Sequence, residues 1–190
     1  MNITNILLCG CGGQGLVLTT KILSEAAFED GYDLKTSDVI GLSQRGGMVW
    51  GSVRFGEKVH SALIPEGEVD VLLALEQLEA LRWSYNLKPN ATVLLNKLSI
   101  FPNRVLIEKE EYPKNITELL ADKKLQVILI SAQELADSLG NSKVMNLVML
   151  GRLSTILPLS IDAWERSIEK NVPSKTIELN KKAFYLGREA

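Results

Sequence analysis

Two glycine-rich clusters hold the residues of this chain most able to do chemistry. The first, Gly10-Cys11-Gly12-Gly13-Gln14-Gly15, contains the spacing Gly-x-Gly-x-x-Gly. It follows the short apolar run Ile3–Cys9 and precedes a stretch where Leu18, Ile22 and Ala26 recur every four residues, with Leu23 and Ala27 beside them. Strand, tight turn and helix form the context in which that spacing has a mechanism. The first glycine allows the turn, the second lets backbone approach a phosphate, and the third lets the helix pack on the strand. Free N–H groups and the positive dipole end at the helix start then suit an anion. The plainer alternative is that the glycines only permit close packing; an anion or nucleotide-like ligand is favoured over it. A bound nicotinamide dinucleotide is disfavoured. Its ribose wants an acidic residue at the end of the second strand, where this chain has Lys35-Thr36-Ser37, with Asp38 falling later, in the loop.

The second cluster is Ser43-Gln44-Arg45-Gly46-Gly47. Arg45 brings a permanent charge on a planar donor fork, and Gly46 and Gly47 allow unusual backbone angles beside it. Loops that follow strands in open α/β sheets lie at the carboxyl edge, where ligands bind. Both clusters can therefore face one crevice. A surface turn with a solvated arginine matches the spacing equally well.

The elements that would position these loops alternate. Strands are expected over Ile3–Cys9, Tyr32–Thr36, Met48–Phe55, Val69–Leu75, Ala91–Leu95 and Gln126–Ile130, the last read as buried, with Lys58–Leu63 returning as a hairpin partner after Gly56-Glu57. Helices are expected from the glycine turn to Gly31, over Glu76–Tyr85, for a turn or two at Ile116–Leu120, over Ala132–Leu139, and over Ser142–Leu157 as one long apolar helix ending near Pro158. Ser160 is placed to cap the next helix, and Ser174–Gly187 forms the last. Phe101–Pro113 reads as irregular chain or a short hairpin. This order predicts an α/β domain spanning 1–190: a Rossmann-like three-layer fold with a mostly parallel sheet and a C-terminal helical segment over about 142–190.

Composition narrows the functional classes. Net charge is −2, from 21 basic and 23 acidic residues, so no clustered cationic excess points to nucleic acid. No apolar run reaches the ~18 residues of a membrane span, and the start lacks the basic region of a signal peptide. The only cysteines, Cys9 and Cys11, are two apart; a disulfide framework is not expected, and a reducing cytoplasm is the natural setting. An iron–sulfur cluster usually needs four thiolates, so this chain alone cannot hold one. His60, the single histidine, has no Cys or Asp cluster around it, and no metal site is expected. Ser43 and Ser52 lack a nucleophile context. Glu76 reads as a helix-start carboxylate, and Trp50, Trp83 and Trp164 as packing residues, with an exposed Trp50 pointing instead to a subunit interface.

Taken together, Gly10-to-Gly15 and Gly41-Leu42-Ser43-Gln44-Arg45-Gly46-Gly47, followed by Val53-Arg54, resemble the γ-type subunit of 2-oxoacid:ferredoxin oxidoreductases. The segment Ile64-Pro65-Glu66-Gly67-Glu68-Val69-Asp70-Val71-Leu72-Leu73-Ala74-Leu75-Glu76, with Glu79-Ala80-Leu81-Arg82, is similar in particular to the β subunit of indolepyruvate:ferredoxin oxidoreductase. The likeness covers nearly the whole chain. It implies a pyruvate/ketoisovalerate oxidoreductase γ-type domain within an enzyme that oxidatively decarboxylates an aryl 2-oxoacid such as indolepyruvate. The acyl group is joined to coenzyme A and the electrons reduce ferredoxin. It implies thiamine diphosphate and 4Fe-4S clusters on a larger α subunit, with no cofactor and no catalytic residue on this chain. Gly10, Gly12, Gly13, Gln14, Gly15, Gln44, Arg45, Gly46 and Gly47 then bind either the coenzyme A pyrophosphate or the α subunit. A homodimer of the chain also stays open. The competing readings are a stand-alone NAD(P)-dependent oxidoreductase and a non-enzymatic nucleotide-binding or scaffold module.

Overall fold

The computed structural model describes residues 3–39, 47–101 and 111–190. Gln44, Arg45 and Gly46, and most of the segment expected to be irregular after Phe101, lie outside the described residues. Six strands form one sheet in the order β2-β3-β1-β4-β5-β6. They are β1 (Thr4–Cys11), β2 (Asp33–Val39), β3 (Met48–Gly56), β4 (Val69–Ala74), β5 (Leu87–Asn96) and β6 (Gln126–Ile130). β1, β4, β5 and β6 pair in parallel. β3 runs antiparallel to both β1 and β2, so β2 points the same way as β1 but one strand further out.

Helices cover both faces. On one face α1 (Leu16–Glu29), α4 (Ala132–Ser138), α5 (Met145–Leu153), α6 (Ile161–Asn171) and α7 (Ile177–Glu189) pack with Ile6, Leu8, Val53, Phe55, Val71, Leu73 and Leu94. On the other, α2 (Gln77–Trp83) and α3 (Ile116–Asp122) cover Leu7, Cys9, Leu72, Ala74, Val93 and Leu95. Consecutive strand residues thus go to opposite cores, which is why β1 and β4 read as unbroken apolar runs. Ser160 caps α6 as expected, its Oγ accepting from the Ala163 N–H at 3.2 Å, and Gly31 ends α1 with φ +82°. α5 and α7 cross at two glycines: a Cβ on Gly151 would run into the Phe184 carbonyl, and one on Gly187 into the Val148 carbonyl.

Three expectations need correction. Lys58–Leu63 is not a strand, because both edges of β3 are already paired with β1 and β2. The segment folds back over β3, where Arg54 Nη1 donates to the Ser61 and Leu63 carbonyls at 2.9 and 2.6 Å and Ser52 Oγ to Ala62 at 2.9 Å. β6 is an edge strand, not a buried one, with Leu129 44% exposed. The helix expected over Ser142–Leu157 is a 3-10 turn at Ser142–Val144 followed by α5, which stops at Leu153. There the Ser154 and Thr155 hydroxyls donate back to the Gly151 and Arg152 carbonyls at 2.6 and 2.8 Å, and Pro158 bars continuation. Among the described residues no helix is long and apolar enough to cross a membrane.

Candidate functional site at the carboxyl edge

β1 is followed by a helix on one face and β4 by a helix on the other. The gap between their carboxyl ends is therefore the point at which the winding of the sheet reverses, the place where such folds bind ligands. The glycine turn sits there, as the spacing predicts. Gly13 and Gly15 take positive φ, +100° and +78°, so the backbone needs glycine at both. Gly15 is the N-cap of α1, which has no side-chain cap and no acidic residue in its first turn. A Cβ on Gly15 would come within 3.0 Å of Asn146 Nδ2 on α5.

Gln14 turns inward and fills the gap. Its Oε1 accepts from the Cys11 N–H at 2.6 Å, and its Nε2 donates to the Leu75 carbonyl at the end of β4 at 3.0 Å. Gly10 makes room for this, because a Cβ there would stand 2.7 Å from Gln14 Oε1 and 3.1 Å from the Leu75 Cβ. The Leu75 carbonyl also accepts from Nδ2 of fully buried Asn96 at 3.2 Å, and Asn96 Oδ1 accepts from the Ala132 N–H at 3.1 Å. One chain of side-chain amides thus ties the ends of β1, β4 and β5 to the start of α4. Asn96 was not singled out by sequence reasoning; its only signal was a polar residue closing the run Val93-Leu94-Leu95.

The structure joins the two glycine clusters at their described ends. The Gly12 N–H donates to the Gly47 carbonyl at 2.8 Å. That bond also settles part of the donor inventory: the N–H groups of Cys11, Gly12 and Gln14 are all used within the chain. Among the described residues only the Gly13 and Gly15 N–H groups of the turn find no acceptor, fewer than the spacing alone suggests.

Beneath the turn, on the α2 face, lies a buried acidic and thiol cluster. Glu76 is the N-cap of α2, as expected: Oε2 accepts from the Glu79 N–H at 2.9 Å, and Oε1 from the Ile100 N–H at 3.1 Å and from the Tyr112 hydroxyl. Glu79 is buried, and among the described residues neither its Oε2 nor the Trp83 indole N–H one turn along finds a partner. Burial raises the Glu79 pKa to about 7, with the nearby Glu76 carboxylate adding to it and Arg82 opposing. Burial, with Glu76 and Glu79 next, pushes the Cys11 thiol up to about 12, and burial chiefly raises Cys9 as well. Two such thiols do not fit an iron–sulfur cluster, which needs more ligands and needs them ionised.

Asp38 lies inside β2, not in the following loop. Its carboxyl sits over Gly51 beside the Thr20 hydroxyl of α1. Because β3 separates β2 from β1, this carboxyl is roughly one strand spacing, about 4.8 Å, further from the glycine turn than the ribose-binding position of a dinucleotide site. That geometry counts against a nicotinamide dinucleotide at the turn. His60 is exposed, and Trp50 is half-buried against Trp83 with ring centroids 5.0 Å apart.

Residues 5–190 match the family model described as pyruvate ferredoxin/flavodoxin oxidoreductase. The chain belongs to this family. Relatives named indolepyruvate oxidoreductase subunit IorB are 39% identical in Thermococcus kodakarensis, over 98% of this chain and 95% of theirs, and 37% identical in Archaeoglobus fulgidus, over 96% and 92%. Among solved structures of this family, the γ subunit of a keto/oxoacid ferredoxin oxidoreductase from Geobacter sulfurreducens is 28% identical, with a TM-score of 0.73, over 98% of this chain and 96% of that one. The 2-oxoglutarate:ferredoxin oxidoreductase of Magnetococcus marinus shares the fold alone, at 19% identity and a TM-score of 0.79, and this chain corresponds to 31% of that longer one.

Proposed function

We propose that this chain is the subunit without cofactors of a 2-oxoacid:ferredoxin oxidoreductase, acting on indolepyruvate or another aryl pyruvate. The observation that carries this reading is the 39% identity to an indolepyruvate oxidoreductase subunit across 98% of the chain. In the assembled enzyme the 2-oxoacid loses carbon dioxide, its acyl carbon is joined to coenzyme A, and two electrons pass to ferredoxin. Thiamine diphosphate and the 4Fe-4S clusters belong on the larger subunit; the two buried, proton-holding thiols here support that division. No side chain of this subunit acts as acid, base or nucleophile.

Within this reading, Gly10, Gly12, Gly13, Gln14 and Gly15, with Gln44 to Gly47, serve the coenzyme A pyrophosphate or the contact with the larger subunit. The spent N–H groups of Cys11, Gly12 and Gln14 support the subunit contact. Co-purification with the larger subunit and viologen-linked oxidation of several 2-oxoacids test the function. Aryl pyruvates are expected to be oxidised by the pair and by neither chain alone; a pair that oxidises no 2-oxoacid overturns the proposal. Arg45→Ala in the pair separates the two site roles: a raised coenzyme A KM assigns the loops to the acyl carrier, and weakened assembly assigns them to the subunit contact.

A further inference from the structure

Tyr85 stands at the amino edge of the parallel strands, the opposite edge from the glycine turn. The residue is 57% exposed, and its ring stacks on Trp83 at 6.4 Å and 18°. On one side is a notch of about 80 Å³ walled by Leu7, Trp50, Leu63, Ile64, Val69 and Trp83, with Leu63 itself 69% exposed. On the other is a groove of about 350 Å³ whose wall carries Lys88, Lys123 and Lys124 and no acidic residue. Lys88 is ion-paired with Asp70, and Lys123 Nζ donates to Ser84 Oγ at 2.6 Å. Lys124 is exposed.

The backbone at Lys124 gives an independent observation. Its φ is +59°, in the left-handed region that costs a side chain and costs glycine nothing. It closes α3 there, its N–H donating to the Ala121 carbonyl at 2.9 Å, a position where helices usually place glycine. A lysine thus occupies a position where glycine would be less strained.

We propose that this surface docks an acidic segment of the larger partner subunit, with one apolar side chain in the notch and carboxylates over Lys123 and Lys124. The inference rests on reading the chain as a subunit. The notch is far below the roughly 300 Å³ at which small-molecule sites begin, and it suits a single side chain. An exposed Tyr stacked on a half-buried Trp and flanked by charge is a usual anchor of a protein interface, and the three lysines, the only charged residues lining the groove, set the sign of the partner.

The test is dissociation of the co-expressed complex, measured at several salt concentrations for the wild type, Lys124→Gly, Lys123→Gln/Lys124→Gly, and the remote control Lys143→Gln. Lys124→Gly is expected to melt no lower than the wild type. Its complex should nonetheless dissociate with a Kd raised about tenfold and a flatter salt dependence, and the double variant more so. Wild-type Kd values for both variants overturn the proposal. So does loss of heparin retention with subunit affinity unchanged, which would assign the lysines to a polyanion. Oxidation of an aryl 2-oxoacid by the wild-type complex is scored separately. An inactive complex that still weakens with Lys124→Gly rejects the activity and keeps the docking surface; an active, insensitive one does the reverse.

Discussion

The backbone N–H of Gly12 donates to the carbonyl of Gly47 across 2.8 Å, closing the first glycine turn onto the strand end that follows the second. With Gln14 bridging Cys11 and Leu75, the gap between β1 and β4 is held shut by the chain's own amides. Under the proposed function, an edge closed in this way favours the subunit contact over an open phosphate cradle.

Gln14→Ala removes a bridge between two strand ends and leaves the Cys11 N–H without its partner. The expected loss is about 1–2 kcal/mol, read as a lower urea midpoint with unchanged slope. Gln14→Glu should be no better, since a carboxylate cannot donate to the Leu75 carbonyl.

Gly151→Ala and Gly187→Ala each put a methyl group into backbone of the facing helix. Overpacking of this kind costs about 1–3 kcal/mol, and these contacts belong at the upper end. Guanidinium unfolding of either variant checks this, and a stability equal to wild type would show that α5 and α7 can separate without loss.

Glu79 gives stability a defined pH slope. Its folded pKa, about 7, lies above the ordinary 4.5, so the folded chain holds this proton more tightly than the unfolded one. Stability from this group is therefore fully present below pH 4.5, falls as pH rises toward 7, and levels off above. Glu79→Gln should flatten that slope and stabilise the protein at pH 8 by on the order of 2 kcal/mol. Thermal melts of both proteins from pH 4.5 to 8.5 measure it.

Cys9 and Cys11 should resist alkylation. Both thiols are buried and hold their protons, Cys11 to about pH 12, and only the thiolate reacts. Iodoacetamide at pH 8 should label neither in the native protein and both in denaturant, as counted by mass.

What was legible in the sequence is what depends on neighbours along the chain. The apolar runs of β1 and β4, the Gly31 stop and the Ser160 cap need only local spacing, and they appear as read. What was not legible depends on distant partners. Lys58–Leu63 alternates like a strand but finds both sides of β3 occupied. β6 carries the same apolar residues as a central strand and lies at the edge only because nothing pairs beyond it among the described residues. At the site, the glycine turn was visible from its spacing. The inward turn of Gln14 was not, since it is set by Leu75, 61 residues away, and Asn96 joins it only once β4 and β5 are side by side.

The position of β3 bears on how the chain must assemble. β1, α1 and β2 look like a unit able to form as soon as they are made, yet the slot between the two strands is empty until β3 enters it. Residues 4–39 have no sheet of their own to close. During synthesis this amino-terminal fifth must therefore wait, its apolar strand unpaired, until Gly56 has emerged and a later segment slides between two earlier ones. Such non-local pairing is slow and leaves strand edges open to other chains meanwhile.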